Sequence, residues 1–155
     1  MTEQKPRDAF TSALEALSHK ERTAGELGAL LAKPGYSLEE IEEAVERLVA
    51  AQALDDEQFA RRFAEDKREL RGWGPERIEE ALLARGLEPA TIAAALAGDG
   101  IEGQLERAIG LLERRGEVVD DQASRTRALA SLARRGYGSE LAYDAVRGFE
   151  RSTAA

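Results

Sequence analysis

The chain has 155 residues, with 22 Lys and Arg against 30 Asp and Glu, a formal net charge of −8 at pH 7, one histidine and no cysteine. The lack of cysteine excludes disulfides, thiolate metal sites and thiol nucleophiles, and it fits a reducing compartment. A net negative charge argues against a protein held mainly by nucleic-acid phosphates, and no apolar run approaches the length of a membrane span. We therefore expect a cytoplasmic protein without a membrane segment.

Three glycines, Gly35, Gly86 and Gly136, are 51 and 50 residues apart and lie in similar surroundings. A leucine precedes each glycine by four residues, and an aromatic or aliphatic residue follows it: Leu31, Leu82 and Leu132, then Tyr36, Leu87 and Tyr137. Self-similarity at this period is typical of stacked supersecondary units. We predict repeats at residues 8–54, 55–101 and 102–150, between flexible tails at 1–7 and 151–155.

The sequence of the first repeat predicts three helices. Apolar residues at 10, 14 and 17 follow the spacing of one helical face. Thr23 with Glu26, and Ser37 with Glu40, are capping boxes that start the second and third helices.

The second repeat follows the same order. Asp55 and Asp56 are N-cap candidates for a helix with an apolar stripe at residues 59, 63 and 70. Gly74 then precedes Pro75, and Glu88 precedes Pro89, with each proline at the favoured first helical position.

In the third repeat, apolar residues at 105, 109 and 112 predict the first helix. We expect Ser124 to cap the second helix and Gly138 to cap the third. The chain lacks the alternating apolar and polar runs that strands need, and Ala, Leu, Glu and Arg dominate it. The fold class that we predict is all-α: three tandem three-helix, helix-turn-helix-like repeats in an elongated, curved arrangement.

The repeated glycines should end the second helix of each repeat in the left-handed conformation. Their spacing predicts Schellman caps, with contacts between the residues four before and one after the glycine. We expect Gly35, Gly86 and Gly136 to be structural caps. The first cap is the least regular, because Pro34 removes an N–H from the last helical turn.

The sequence offers little for catalysis. His19 lies in a polar segment typical of a solvated helix end, and no phosphate-binding glycine loop is present. The glutamates at 39–46 are best explained by the helix dipole and a solvated face. We predict a protein that is not an enzyme and that needs neither a metal nor a cofactor.

Residues 71–78 contain the only tryptophan, Trp73, between two glycines and among several arginines. In one interpretation Trp73 stacks on a base while the arginines bind phosphates. In the other it fills the junction between two helices while the arginines pair with nearby carboxylates. The candidates for partner or DNA binding are Arg68, Arg71, Trp73, Arg77, Arg85, Arg114, Arg115, Arg134 and Arg135.

Over residues 9–149 the sequence resembles the RecX family, the regulators of the bacterial recombinase RecA. The fragments that carry the resemblance are Asp55-Asp56-Glu57-Gln58-Phe59-Ala60, Arg71-Gly72-Trp73-Gly74-Pro75, Arg85-Gly86 and Leu132-Ala133-Arg134-Arg135-Gly136-Tyr137. The resemblance implies a regulator that binds RecA filaments on single-stranded DNA and inhibits ATP hydrolysis, strand exchange and filament growth. The resemblance implies that RecA is a partner and that single-stranded DNA is bound weakly. We expect the protein to be a monomer.

Two alternatives come from other classes. A helix-turn-helix module on duplex DNA would need a basic recognition helix, whereas residues 38–50 are acidic and 89–97 are alanine-rich. A helical adaptor for another protein would have no effect on a recombinase.

Overall fold

The computed structural model describes residues 7–154, so the expected tail at 1–7 lies almost entirely outside the described residues. Within that range the chain forms nine helices and no strand. The helices are α1 Ala9–His19, α2 Ala24–Ala32, α3 Leu38–Ala50, α4 Asp56–Arg71, α5 Pro75–Ala84, α6 Pro89–Leu96, α7 Ile101–Arg114, α8 Gln122–Arg134 and α9 Ser139–Thr153. The all-α fold predicted from the sequence is confirmed. None of these helices combines the length and apolarity that crossing a bilayer requires.

Each group of three helices has its own core. The largest fully buried side chains of the three cores include Leu27, Leu31 and Leu48, then Ile78, Leu82 and Ile92, then Leu112, Leu132 and Tyr137. The residues four before and one after the second and third repeated glycines share a core, as the sequence pattern predicts. Each core is small, so each repeat depends on contacts with its neighbours for part of its stability.

The caps largely follow the sequence. Thr23 and Ser37 form the expected capping boxes, and Gly74 precedes Pro75 at the start of α5. The expectation for Ser124 was wrong: α8 begins one turn earlier, capped by Asp121, and Ser124 is the third residue of the helix. A carboxylate satisfies free N–H groups and also favours the positive end of the helix dipole. The hydrogen bonds from Ser124 lower the pKa of the Asp121 carboxyl.

The three repeated glycines all have positive φ angles, 99° at Gly35, 80° at Gly86 and 98° at Gly136. At the second and third turns the Schellman bond forms, from the Leu87 amide to the Leu82 carbonyl and from the Tyr137 amide to the Leu132 carbonyl. All three turns keep the bond from the glycine amide to the carbonyl three residues earlier, but at the first turn the bond from the Tyr36 amide to the Leu31 carbonyl is missing. This turn also differs at Pro34, which fixes its own φ and cannot donate the bond that the Arg85 and Arg135 amides make in the other two turns.

Two details of the helical faces differ from expectation. The buried face of α1 consists of Ala9, Ala13 and Ala16, and Leu14 is 41% exposed, because small side chains let α1 lie close to its neighbours. Leu70 is 78% exposed and is not part of the core stripe of α4. The helix α9 continues to Thr153, so residues 151–153 are helical and not the flexible tail that was expected.

Candidate nucleic-acid and partner interface

The contact between the second and third repeats, called junction 2–3, joins residues 72–77 to residues 134–137. The Gly74 amide donates to the Arg135 carbonyl at 2.8 Å, and the Glu76 amide donates to the Gly136 carbonyl at 3.0 Å. A Cβ atom on Gly74 would lie 2.5 Å from the Gly136 carbonyl oxygen, so the backbones meet only because residue 74 is glycine. The start of α5 is thus fixed to the glycine turn of the next repeat.

Junction 1–2 joins the corresponding elements, residues 23–26 and residues 85–86, but its hydrogen bonds come from side chains. The Thr23 hydroxyl donates to the Arg85 carbonyl at 2.6 Å. A Cβ atom on Gly25 would lie 2.5 Å from the Gly86 carbonyl oxygen, which is another backbone contact that excludes a side chain. In both junctions the start of the second helix contacts the glycine turn of the following repeat. The glycines predicted as helix caps therefore also connect the repeats.

A row of three aromatic rings runs along α4 and past its end. The ring centroids of Phe59 and Phe63 are 5.9 Å apart, and those of Phe63 and Trp73 are 6.4 Å apart in an edge-to-face arrangement. All three side chains are half-buried. Gly72, in the left-handed conformation, ends α4 and lets the chain turn so that Trp73 packs back against Phe63.

Cations cover these rings. The Arg77 guanidinium lies 4.2 Å from the Trp73 centroid, the Lys67 ammonium 4.8 Å from the same centroid, and the Arg85 guanidinium 4.8 Å from the Phe59 centroid. We call this surface the aromatic–cation row, and its members are Phe59, Phe63, Lys67, Trp73, Arg77 and Arg85. Lying on a ring holds Lys67 and Arg77 in place without neutralising their charge, whereas Arg85 is also paired with the Glu26 carboxylate.

The sequence reasoning missed Phe59, Phe63 and Lys67 as members of this surface. Their spacing of i, i+4 and i+8 places them on one face of α4, a signal that was available but was assigned to the core. The packing of Trp73 agrees with the second interpretation, and its stacking on a base stays a prediction. The ring is half-buried against Phe63, as a packing residue would be, and it also supports Arg77 beside exposed arginines.

Junction 2–3 brings four of the candidate arginines together beside the row. The Arg135 guanidinium donates to the Arg71 carbonyl at 3.1 Å, and the Arg77 guanidinium donates to the Arg134 carbonyl at 3.3 Å. The side chains of Arg71, Arg77 and Arg134 are exposed. These arginines come from different repeats, so the positive patch exists only when the junction is formed.

Arg68 does not join this patch. Its guanidinium donates to the Ala95 carbonyl at 3.2 Å and lies 3.4 Å from the Asp99 carboxylate, a buried group between α6 and α7. Arg107 approaches the same carboxylate at 2.8 Å, so Asp99 joins the second repeat to the third. Arg68 therefore has a structural partner, although not one of the nearby carboxylates considered from the sequence.

A buried hydroxyl adds to this connection. The Tyr137 hydroxyl donates to the Gly72 carbonyl at 2.8 Å and accepts from the Arg107 guanidinium at 3.0 Å. Burial raises the pKa of Tyr137, and the Arg107 guanidinium opposes that rise. Tyr137 thus packs in the third core while its polar end holds the turn after α4.

The remaining candidates lie elsewhere. Arg85 belongs to junction 1–2, where its guanidinium donates to the Glu26 carboxylate at 2.8 Å and lowers the pKa of that carboxyl. Arg114 and Arg115 are exposed near the end of α7, and Arg115 donates to the Ser131 hydroxyl at 3.0 Å. Arg85 therefore marks one end of the row, whereas Arg114 and Arg115 form a separate positive corner of the third repeat.

The aromatic–cation row also borders a shallow groove of about 350 Å³. Its lining residues are Glu21, Phe59, Arg62, Phe63, Asp66, Lys67, Leu70 and Arg71. Because cations cover the rings, the outward guanidinium and ammonium N–H groups are the donors available to an anion. Such a surface suits a phosphate backbone whose bases pack against the exposed edges of the rings.

Three small helical cores joined by repeated backbone contacts define a tandem three-helix repeat protein, with one basic, aromatic surface across its second and third units. Family models for RecX match two of these units, the first three-helix domain at residues 9–48 and the second at residues 55–96. The chain belongs to the RecX family of regulatory proteins.

Comparisons with individual relatives agree with this family assignment. The chain is 34% identical over 141 residues to the regulatory protein RecX of Trichlorobacter lovleyi, covering 88% of this chain and 92% of that protein. It is 35% identical over 137 residues to the regulatory protein RecX of Mycobacterium ulcerans, covering 86% and 79%. The crystal structure of RecX from Lactobacillus salivarius shares the fold, with a TM-score of 0.81 at 19% identity, over 92% of this chain and 94% of that one. The predicted family is confirmed.

Proposed function

We propose that the protein is a non-enzymatic regulator that binds RecA filaments on single-stranded DNA and inhibits ATP hydrolysis, strand exchange and filament growth. The observation that carries this proposal is membership in a family of regulatory proteins, with matches over both the first and the second repeat. The aromatic–cation row gives the proposal a surface.

The row is suited to a weak contact with single-stranded DNA inside a protein filament. Its cations can bind phosphates, and its ring edges can pack against bases, which gives affinity without sequence preference. The chain as a whole carries a charge of −8, so long-range repulsion opposes binding to free DNA. Contacts with the recombinase would have to supply the remaining affinity, which makes DNA binding dependent on the filament.

The tandem arrangement suits a helical filament as the target. Each repeat can contact a different filament subunit, and contacts that are weak one by one add up when all engage together. Backbone hydrogen bonds at junction 2–3 and the close backbone approach of Gly25 to Gly86 at junction 1–2 keep the repeats in a fixed relation. A rigid array loses less conformational entropy on binding than repeats on flexible linkers would.

ATP hydrolysis by the cognate recombinase on single-stranded DNA, with the purified protein titrated in, tests the proposal directly. We expect inhibition at substoichiometric amounts if the protein acts at growing filament ends, and at near-stoichiometric amounts if it binds along the filament. The lack of any inhibition in excess protein would refute the proposal.

Variants of the row and of the arginine patch beside it test the proposed surface. Arg71→Ala combined with Trp73→Ala should raise the concentration needed for half-inhibition by about tenfold or more, since each lost charge-assisted hydrogen bond is worth roughly 1.5–3 kcal/mol. Arg61→Ala is the matched control, because Arg61 is exposed on α4 but lies about 200° around the helix from Phe59. Circular dichroism melts of each variant separate a loss of contact from a loss of fold. A large melting shift with unchanged inhibition per folded molecule would show that Trp73 acts only in packing.

A further inference from the structure

A second groove lies between the first and second repeats, near junction 1–2, and has a volume of about 1270 Å³. It shares no residue with the aromatic–cation row. One wall is α3, and the opposite wall is formed by the start of α4 and the start of α6. Neither the family comparisons nor the proposed function assigns this groove a role.

The α3 wall carries an apolar stripe. Leu38, Ile41, Val45 and Val49 are spaced i, i+3, i+7 and i+11, so they lie along one face of the helix. The two ends of the stripe are open to solvent, with Leu38 73% exposed and Val49 53% exposed. A continuous apolar stripe with exposed ends is the kind of surface that receives an amphipathic helix.

All charged residues that line the groove are negative. The charged residues that line it are Glu42, Glu46, Asp55, Asp56, Glu57 and Glu88, and no Lys or Arg is among them. Burial raises the pKa of Asp56, and the carboxylates of Asp55, Glu26 and Glu88 raise it further. The carboxyl of Asp56 is therefore harder to ionise than an ordinary aspartate, first because it is buried and then because other carboxylates lie near it.

We propose that this groove binds a basic amphipathic helix of a protein partner, whose apolar face packs along Leu38 and Val49 and whose Lys or Arg side chains pair with the rim carboxylates. The charge complementarity selects this occupant, since an acidic helix or a nucleic acid would be repelled by the rim. A second copy of this chain is a poor occupant, because its net charge of −8 would be repelled by the carboxylates of the rim.

The test uses the full chain and a fluorescein-labelled, 15-residue designed peptide with leucines at helical i, i+3, i+7 and i+11 spacing and lysines on the other face. Fluorescence anisotropy should show saturable binding. Replacing every lysine by glutamate, or every leucine by serine, should weaken binding by about tenfold or more, because one change removes the charge pairing and the other the apolar contact. Equal binding of the leucine and serine peptides would show that only general charge attraction holds the peptide, and it would overturn the proposal.

Protein variants locate the binding. Leu38→Ser and the pair Glu42→Lys with Glu46→Lys should each weaken peptide binding about tenfold, with helical content unchanged because these side chains are exposed. The pair Glu79→Lys with Glu80→Lys makes the same charge change on exposed positions of α5, outside the groove, and should bind the peptide with no more than a small loss.

Three further results would overturn the proposal. In the first, the peptide fails to bind the wild-type chain. In the second, the pair Glu79→Lys with Glu80→Lys weakens binding as much as the pair Glu42→Lys with Glu46→Lys does. In the third, sedimentation velocity shows the chain self-associating in a way that Leu38→Ser abolishes, which would make a second copy the occupant. The assay contains no recombinase or DNA, so its failure is distinct from a failure of the proposed regulatory function.

Discussion

Replacing Gly74 by alanine should separate the contribution of junction 2–3 from that of the repeat cores. Gly74 has φ near −84°, which alanine adopts without strain, so the substitution acts through the contacts of the added methyl group and through a small loss of N-cap preference. That group would lie 2.5 Å from the Gly136 oxygen, 2.6 Å from its carbon and 2.8 Å from the Tyr137 nitrogen. All three are backbone atoms, and ordinary contact begins at 3.4 Å, so the two repeats must separate by about 1 Å.

A separation of that size breaks the bonds across the junction. The Gly74 amide bond of 2.8 Å and the Glu76 amide bond of 3.0 Å would stretch beyond hydrogen-bond length, and the Tyr137 hydroxyl bond to Gly72 would weaken with them. At about 1 kcal/mol for each bond, the free energy of unfolding should fall by roughly 2–3 kcal/mol. For a chain of this size that corresponds to a lower melting temperature by roughly 4–12 °C.

Gly100→Ala is the matched control. Gly100 is also the N-cap of a helix, α7, and a Cβ atom there would meet nothing within 4 Å. Both variants lose the same cap preference, about 0.5–1 kcal/mol, so their difference measures the junction. Thermal melts should show Gly74→Ala less stable than Gly100→Ala, and hydrogen exchange should show faster exchange of the Glu76 amide only in Gly74→Ala. Equal melting temperatures with a protected Glu76 amide would refute the junction reasoning.

Three further variants test other contacts. Asp99→Asn should lower the free energy of unfolding by roughly 1–3 kcal/mol in urea titrations, because it leaves two half-buried arginines without their carboxylate. Glu26→Gln should be destabilising at pH 7 and much less so below pH 4.5, since Arg85 holds the pKa of Glu26 below 4.5 and its contribution is lost as the pH falls through that lowered value. Gly86→Val should lower the melting temperature, because φ is +80° there and a β-branched residue resists that conformation.

Each of these has a clear contrary result. An Asp99→Asn chain as stable as wild type would mean that the arginines find water or other partners at no cost. A Glu26→Gln effect of the same size at pH 3 and pH 7 would show that the pair with Arg85 contributes nothing through charge. Gly98→Val is the control for Gly86→Val, since a Cβ atom at residue 98 meets open space. Equal melting temperatures of the two variants would show that the predicted position of the left-handed glycine is wrong.

The sequence was sufficient for the repeats and for most helix starts, because these depend on local chemistry. Thr23 and Ser37 bond to residues three positions away, and Pro75 and Pro89 fix their own φ angles, so neighbouring residues decide the outcome. Ser124 was misassigned because Asp121, three residues earlier, is an equally good cap and adds a charge. The choice between two N-cap candidates three residues apart depends on small energy differences, which an alignment of the repeats does not show.

The candidate site was only partly predictable, because its parts come from different repeats. Residues 71–77 attract attention in the sequence, but nothing there indicates that Arg134 and Arg135 lie beside them. Arg68 belongs to the same dense run of charges, yet it turns toward Asp99. Helical spacing places the aromatic residues of α4 on one face, but only the turn at Gly72 brings Trp73 against them.

Gly25 and Gly74 give the junctions a role beyond holding the chain together. The acidic groove lies beside junction 1–2, and the basic patch forms at junction 2–3, so the relation between the two surfaces depends on backbone contacts at both. Side-chain rotation cannot adjust contacts of this kind, since the atoms that meet belong to the main chain. A methyl group at Gly74 therefore changes how the two surfaces are placed while leaving the residues of both intact, whereas Gly25 itself lines the groove. A partner that needs both surfaces at once would lose the benefit of simultaneous binding to the Gly74 variant.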